Sequence, residues 1–347
     1  MSRSLSFKTC AVASATVLAL ALGLAGCTSK PETTNSSRNT TAGTSPVPVD
    51  SKRPKVVATS SVLCDFIEKI AQDTVDLTCL IPAGTDPHVY APKPSDRKAI
   101  EQANLILYNG YGFEADLIKL IQSTNNSAPK VAVGEMAVSK PLKGEEHEHE
   151  TRGRAQAEQE HGEFDPHVWH DAKNGVRMVE VVLDNLKKIS PKDDAKYINN
   201  AKTITRNLTQ LDTWIRSEIS TIPAQQRKLV TTHDAMGYYA AAYGIPIEGA
   251  LQGISTDEKP TAGRVKELVD EIKKASVPTI FAEATINPKL IETVSREAQV
   301  NVSNQKLFAD GLGERGTPAD TYEKMLIANT QAIVKGLGGK YTPFQPQ

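Results

Sequence analysis

The sequence predicts an α/β protein of two lobes, each built on a mostly parallel sheet flanked by helices. Short apolar strand patterns alternate with helical patterns over residues 55–133, and the same alternation returns over 228–336. Strands that alternate with helices form parallel sheets that are covered on both faces. Two long helical patterns lie between these stretches, over 172–220, and we expect them to join the lobes.

The chain begins with a targeting segment. A short basic start precedes an apolar run over residues 12–24, which is too short to span a bilayer comfortably. The run ends on Leu-Ala-Gly-Cys at 24–27, which resembles the bacterial lipobox. We predict a lipoprotein signal peptide over 1–26 and a lipid on Cys27, with an ordinary cleaved signal as the alternative. The rest of the chain would be extracytoplasmic and anchored to a membrane face, periplasmic or outer.

The first lobe is predicted over residues 54–171, after a flexible tether over 27–53 that is rich in Ser, Thr, Asn and Pro. Its strands are predicted at 55–60, 75–81, 105–108 and 130–133, and its helices from residue 62, over 94–103 and over 114–122. Residues 144–163 break the alternation, because they are rich in Glu and His and hold no large apolar side chain. We expect a mobile surface loop there.

The second lobe is predicted over residues 221–347, after linking helices over 172–220. Its strands are predicted at 228–231, 245–251, 279–282 and 300–302, and its helices over 235–243, 260–274, 288–298 and 317–336. The helix at 260 begins with proline, which suits the first turn of a helix. No tandem repeat is visible in the sequence of the two lobes.

Charge and cysteine content narrow the class of protein. The chain has 40 basic and 41 acidic residues, so there is no basic excess of the kind that binds nucleic acid. The chain has four cysteines. Cys10 lies in the predicted signal peptide and Cys27 is the predicted lipidation site, which leaves Cys64 and Cys79 in the folded part of the chain. Their compartment permits disulfides. They either pair or stay separate as small buried apolar side chains.

Of the candidate site residues, His88, His233 and Asp310 lie just after predicted strands, and His167 lies just after the Glu/His loop. His88 and His167 each end an Asp-Pro-His sequence, His233 follows Thr-Thr, and Asp310 lies in Phe-Ala-Asp-Gly. Ligands of open α/β sheets bind at the carboxyl ends of strands, and a cleft between the lobes would bring all four residues together. Proline restricts the backbone before His88 and before His167. Three imidazoles and a carboxylate are a natural set for a divalent transition metal.

The motifs around these residues resemble a known family. They are Asp86-Pro87-His88-Val89-Tyr90, Asp165-Pro166-His167-Val168-Trp169, His233-Asp234-Ala235-Met236-Gly237-Tyr238, Leu251-Gln252-Gly253-Ile254-Ser255-Thr256 and Phe308-Ala309-Asp310. The pattern over 54–340 is similar to the metal-binding extracytoplasmic solute-binding proteins of ABC importers, the zinc/manganese family called cluster A-I, which includes streptococcal adhesin-type lipoproteins. This resemblance implies two lobes joined by a long rigid helix, with the metal between them. It implies ligands at the positions of His88, His167, His233 and Asp310.

The resemblance also implies a function. The protein would capture Zn²⁺ or Mn²⁺ as a monomer and deliver it to the membrane permease of an ABC importer, and it would not be an enzyme. In the family, the third ligand is Glu in manganese members and His in zinc members, and here it is His233. Imidazole favours zinc over manganese, so zinc is the first choice and manganese the alternative. The loop residues His147, His149 and His161 either collect metal weakly or form a solvated linker.

Two further residues are candidates for a supporting role. His170 departs from the family pattern, in which an apolar residue usually follows the tryptophan. It lies three residues after His167 and could share a helix face with it, as a ligand or proton-linked neighbour; otherwise it is a surface residue at a helix start. Glu283 ends a predicted buried strand, and the family implies that it orients a ligand histidine from the second shell.

Two other functions compete with metal capture. A secreted zinc hydrolase would need an open coordination position and a general base, but the sequence has no His-Glu-x-x-His motif, and four strong ligands would leave no vacancy. A surface adhesin-like lipoprotein is the other alternative, since exposed relatives carry that label. The sequence offers no obvious apolar docking patch for it.

Overall fold

The computed structural model describes residues 53–144, 164–257 and 259–346. The predicted signal peptide, most of the tether and Cys27, the predicted lipidation site, lie outside this part of the chain. So does nearly all of the Glu/His loop, with His147, His149 and His161. The structural and functional expectations for these residues therefore stay predictions. Among the helices of the described residues, none has the length and apolar character that a membrane span requires.

The first lobe contains a four-stranded parallel sheet. Its strands are β1 (Lys55–Ala58), β2 (Asp76–Cys79), β3 (Leu105–Tyr108) and β4 (Lys130–Ala132). Their order across the sheet is β2-β1-β3-β4. The central strands are apolar and buried, as expected for strands covered on both faces. The predicted strands are confirmed, with shorter ends.

Four helices flank this sheet. They are α1 (Ser61–Ala71), α2 (Pro94–Gln102), α3 (Ala115–Ser123) and the short α4 (Val133–Ala137). The side chain of Ser60 accepts a hydrogen bond from the backbone of Leu63, which caps the start of α1. Pro94 begins α2 at a position where a missing N–H costs nothing.

A disulfide joins the first helix to the second strand. Cys64 in α1 and Cys79 at the end of β2 are bonded, and their Cα atoms lie 6.0 Å apart, within the usual range. Of the two alternatives that the sequence left open, the structure has the bridge. Closing a loop of this length stabilises a fold by about 3 kcal/mol through the unfolded state.

Two long helices connect the lobes. They are α5 (Ala172–Ile189) and α6 (Asp194–Ser220), and they pack along each other. The 27 residues of α6 extend about 40 Å at the usual rise per residue. Its buried side chains include Tyr197, Leu208 and Ile215, which continue the helical spacing seen in the sequence. The predicted long linking helix is confirmed.

The second lobe repeats the strand order of the first. Its strands are β5 (Leu229–His233), β6 (Ile247–Gln252), β7 (Thr279–Ile280) and β8 (Asn301–Val302). The pairs β5-β6 and β7-β8 are parallel. The backbone N–H of Phe281 donates to the carbonyl of Val230 and so joins β7 to β5. The resulting order, β6-β5-β7-β8, matches β2-β1-β3-β4.

The helices of the second lobe are α7 (Gly237–Tyr243), α8 (Ala262–Ala275), α9 (Lys289–Ala298) and α10 (Tyr322–Gly336). The last of these was predicted from residue 317, which is wrong by five residues. Thr321 is the N-cap and accepts a hydrogen bond from the backbone of Lys324, while the Thr317 hydroxyl donates to the carbonyl of Glu314 in a preceding turn.

One apolar core runs through the lobes and the linking helices. Side chains of α1, α6 and α10 share it, among them Phe66, Leu208 and Tyr322. Trp169, just before α5, is also part of this core. The described residues of both lobes and of the linking helices accordingly belong to one compact unit. The two lobes are thus held by continuous packing as well as by the chain that joins them.

Candidate metal centre

The two Asp-Pro-His sequences form the same local turn. Oδ1 of Asp86 accepts the backbone N–H of His88 at 3.0 Å, and Oδ1 of Asp165 accepts that of His167 at 2.9 Å. An aspartate that bonds the backbone two residues on forms a compact turn. The motif therefore fixes each histidine in two ways, through the proline ring and through the aspartate.

The ring of His167 is oriented by Asp165, which also holds its backbone. Its Nδ1 lies 2.8 Å from Oδ1 of Asp165, so Nε2 is left to face the centre. Asn109, which follows β3, donates from Nδ2 to the carbonyl of Pro166 at 2.9 Å. The end of a strand in the first lobe thereby holds the motif in place.

His233 ends β5 and is held by Glu283. Oε1 of Glu283 accepts the backbone N–H groups of Thr232 and His233 at 2.9 Å each. The other oxygen, Oε2, is hydrogen-bonded to Nδ1 of the His233 ring. Both side chains are fully buried. This is the contact that a second-shell residue would make; the functional role of Glu283 stays a prediction.

Asp310 brings the three histidines together. Its Oδ1 lies 3.4 Å from Nε2 of His88, 3.4 Å from Nε2 of His167 and 3.1 Å from Nε2 of His233. Nε2 of His88 and Nε2 of His167 are 3.2 Å apart. One donor atom from each of the four residues falls within 4.8 Å of all the others. The four side chains are almost completely buried.

These distances suit a tetrahedral ion. Donors bound at about 2.0–2.1 Å around zinc are separated by about 3.3 Å, close to the spacings in the centre. Nε2 of His233 and Oδ1 of Asp310 are buried without a hydrogen-bond partner. Buried polar atoms are rarely left so, and a cation between the four residues would satisfy both. The donor set therefore fits a divalent metal.

Charge in the centre is concentrated on Asp310. Burial alone would raise the pKa of this carboxyl, but the neighbouring His233, His167 and His88 hold it well below its usual range. Burial lowers the pKa of His88. Burial is outweighed by Asp165 and Asp310, which raise the pKa of His167, and by Asp310 and Glu283, which raise the pKa of His233. These carboxylates thus favour the protonated form of the two rings, with which a metal ion would have to compete.

His170 is not a surface residue at a helix start, and that alternative is wrong. It ends a short 3-10 turn over Val168–His170 and is fully buried. Burial lowers the pKa of its imidazole to about 4. Its Nε2 lies 2.8 Å from the carbonyl of Ala309, next to Asp310 and outside the converging set. It therefore supports the backbone that carries Asp310.

The family described as zinc-uptake complex component A, periplasmic, matches residues 56–336. The chain belongs to this family. The resemblance predicted from the sequence is thereby confirmed.

The relatives of this zinc-uptake family member carry both metals in their names. The manganese-binding lipoprotein MntA of Halalkalibacterium halodurans is 32% identical over 288 residues, covering 83% of this chain and 90% of the relative. The manganese ABC transporter substrate-binding lipoprotein PsaA of Streptococcus mitis is 32% identical over 289 residues, covering 82% and 89%. Among solved structures, the periplasmic zinc binding protein TroA of Treponema pallidum superposes with a TM-score of 0.74 at 34% identity, covering 82% of this chain and 99% of TroA.

Four supporting residues of this family member were missed as site residues from the sequence. Asp86 and Asp165 could have been identified from the sequence, because each lies two residues before a candidate histidine. Thr256 and Thr285 gave no such signal: they reach Asp86 and Asp310 across 170 and 25 positions of the chain. Only the folded arrangement reveals those contacts.

Proposed function

We propose that this chain is the extracytoplasmic receptor of an ABC importer. It captures one divalent transition-metal ion, zinc in the first place, between His88, His167, His233 and Asp310, and delivers the ion to the membrane permease. The observation that carries the proposal is the convergence of three Nε2 atoms on Oδ1 of Asp310. Two of these residues belong to each lobe, so the ion is held where the lobes meet.

The arrangement suits capture better than turnover. Four protein donors complete the coordination of a tetrahedral zinc ion, whereas catalytic zinc keeps one position for water. The neighbouring carboxylates of Asp165 and Glu283 are engaged with the histidine rings, so they orient ligands. The family supports the same conclusion, because its members are transport components.

Zinc is proposed over manganese on the chemistry of the donors. Three imidazoles and one carboxylate suit zinc, while manganese prefers oxygen-rich octahedral sites. The relatives support either metal, since TroA is named for zinc and MntA for manganese. Manganese is therefore the alternative cargo of the same centre.

The remaining features of the proposal rest on the sequence. Cys27 at the end of the lipobox-like Leu-Ala-Gly-Cys would anchor the receptor to the membrane, and the protein would act as a monomer. His147, His149 and His161 would collect metal weakly, or the loop that holds them would be a solvated linker. The naming of relatives as ABC transporter lipoproteins supports the anchor and the permease partner.

The direct test is metal titration of the metal-stripped protein. We expect wild type to bind one zinc ion, and Asp310→Asn to lose more than about 100-fold in affinity, since even supporting residues are worth 10–100-fold. Asp116→Asn is the matched control, because it neutralises an exposed carboxylate on α3. Equal affinity of the two variants would contradict the site. Uptake of labelled zinc by cells carrying Asp310→Asn tests delivery, and unchanged uptake would contradict it.

A further inference from the structure

The two oxygens of Asp310 have different surroundings. Oδ1 faces Nε2 of the three histidines and has no hydrogen-bond partner. Oδ2 accepts a hydrogen bond from the hydroxyl of Thr285 at 3.1 Å. The carboxylate therefore presents one oxygen to the centre while the other is engaged by a hydroxyl group.

Resting on the proposed function, we infer that Thr285 is a positioning residue that sets metal selectivity. By holding Oδ2, it makes Asp310 a ligand through one oxygen only. The ion is then limited to four protein donors, three nitrogens and one oxygen. This arrangement favours zinc over manganese.

Thr285 is well placed for this role. The backbone N–H of Ala284 donates to the carbonyl of Leu307 at 2.8 Å, and Glu283 is bridged to the same residue. The segment 283–285 therefore runs beside the segment that leads to Asp310. Residues 284–286 form a bend directly after the bridge at Glu283. One short segment thus supplies Glu283 to His233 and Thr285 to Asp310.

The backbone around Asp310 is already fixed by other contacts. Asn329 bonds both the N–H and the carbonyl of Phe308, at 2.8 and 2.9 Å. His170 bonds the carbonyl of Ala309, and the N–H of Leu312 donates to the hydroxyl of Ser61 at 2.9 Å. With the main chain held on both sides, rotation of the carboxylate is the freedom that remains. Thr285 acts on that rotation.

The selectivity follows from the preferences of the two ions. Zinc accepts four ligands without a preferred d-electron geometry. Manganese prefers six ligands that are mostly oxygen. A hydroxyl bound to a carboxylate makes a charge-assisted hydrogen bond, which must be broken or weakened before Oδ2 can also bind the ion. The hydrogen bond from Thr285 to Oδ2 therefore lowers the affinity of the centre for manganese more than its affinity for zinc.

The variant Thr285→Val removes the hydroxyl and keeps the shape of the side chain. We expect the ratio of zinc to manganese affinity to fall about ten-fold, because a hydrogen bond to a charged group is worth enough for such a change. Thr285→Ser keeps the hydroxyl and should retain the wild-type ratio. Both ratios come from competition titrations on the full chain.

The visible spectrum of bound cobalt(II) distinguishes a change in the number of ligands from a general loss of structure. The absorption is strong with four ligands and weak with five or six, so Thr285→Val should lose intensity while wild type and Thr285→Ser keep it. An unchanged ratio and spectrum in Thr285→Val would overturn the inference, as would an equal loss of both metals. If Asp310→Asn abolishes binding while Thr285→Val behaves as wild type, the inference alone fails. If Asp310→Asn binds as wild type does, the proposed function fails.

Discussion

The hydroxyl of Thr256 donates a 2.6 Å hydrogen bond to Oδ2 of Asp86. Thr256 lies in the loop after β6 of the second lobe, and Asp86 in the loop after β2 of the first. Oδ1 of the same carboxylate holds the backbone of His88. One aspartate thus couples the position of a candidate ligand to the contact between the lobes.

Removing this contact should speed metal release. In Thr256→Val the loops lose a hydrogen bond to a carboxylate, which is worth about 1.5–3 kcal/mol, so we expect the dissociation rate of zinc to rise by about ten-fold or more. Stopped-flow release into a chelator measures the rate. Thr256→Ser keeps the hydroxyl and should release zinc at the wild-type rate. A dissociation rate that does not change in Thr256→Val would show that the contact does not hold the lobes around the ion.

Neutralising Glu283 should weaken binding without removing a donor atom. In Glu283→Gln the amide can still accept from the backbone but no longer gives His233 a charged partner, so we expect a 10–100-fold loss of zinc affinity. Isothermal titration calorimetry measures the change. Glu292→Gln alters an exposed glutamate on α9 and serves as the control. Affinity within two-fold of wild type in Glu283→Gln would rule out an orienting role.

Much of the architecture was predictable because it is local. Short apolar patterns predicted all eight strands of the described residues. The strand that was predicted to end at residue 231 continues to His233, which was expected just after it. The placement of His88, His233 and Asp310 after predicted strands, together with the second Asp-Pro-His at His167, predicted the convergence of the four residues. The repeated strand order was not predictable, because the pairing of β7 with β5 depends on backbone contacts between distant segments.

The supporting contacts were harder to predict because they depend on packing. His170 was expected on a helix face or at the surface, yet the 3-10 turn and the loop before Asp310 bury it. Whether Cys64 and Cys79 are bonded could not be predicted, since sequence spacing alone does not distinguish two buried thiols from a disulfide. Thr285 follows no motif at all, and its role depends on which oxygen of Asp310 it reaches.

Metal affinity should fall in acid. Asp165, Asp310 and Glu283 raise the pKa of His167 and His233 above the usual value despite burial. Metal must displace these protons, so affinity decreases as pH falls through the raised pKa values, by up to ten-fold per pH unit for each proton. Between about pH 7.5 and 5 we expect zinc affinity to drop at least 100-fold. Competition titrations across this range measure it; a flat profile would mean that the rings are already neutral in the free protein.

The identity of the third donor should set the preferred metal. In His233→Glu a carboxylate replaces an imidazole, which makes the donor set harder, so we expect the ratio of zinc to manganese affinity to fall. The control variant His233→Gln has a side chain of the same shape as glutamate but without its charge, and we expect it to lower the affinity for both metals.

Glu283 complicates the single variant. Its Oε2 now bonds the ring of His233, and in His233→Glu it would face a second buried carboxylate, which favours protonation of one of them. The double variant His233→Glu with Glu283→Gln removes this repulsion. We expect it to bind manganese more tightly than His233→Glu alone, and competitive titration of both metals decides the matter. A zinc to manganese ratio at or above the wild-type value in the double variant would mean that the third donor does not govern selectivity, and that the shape of the buried centre does.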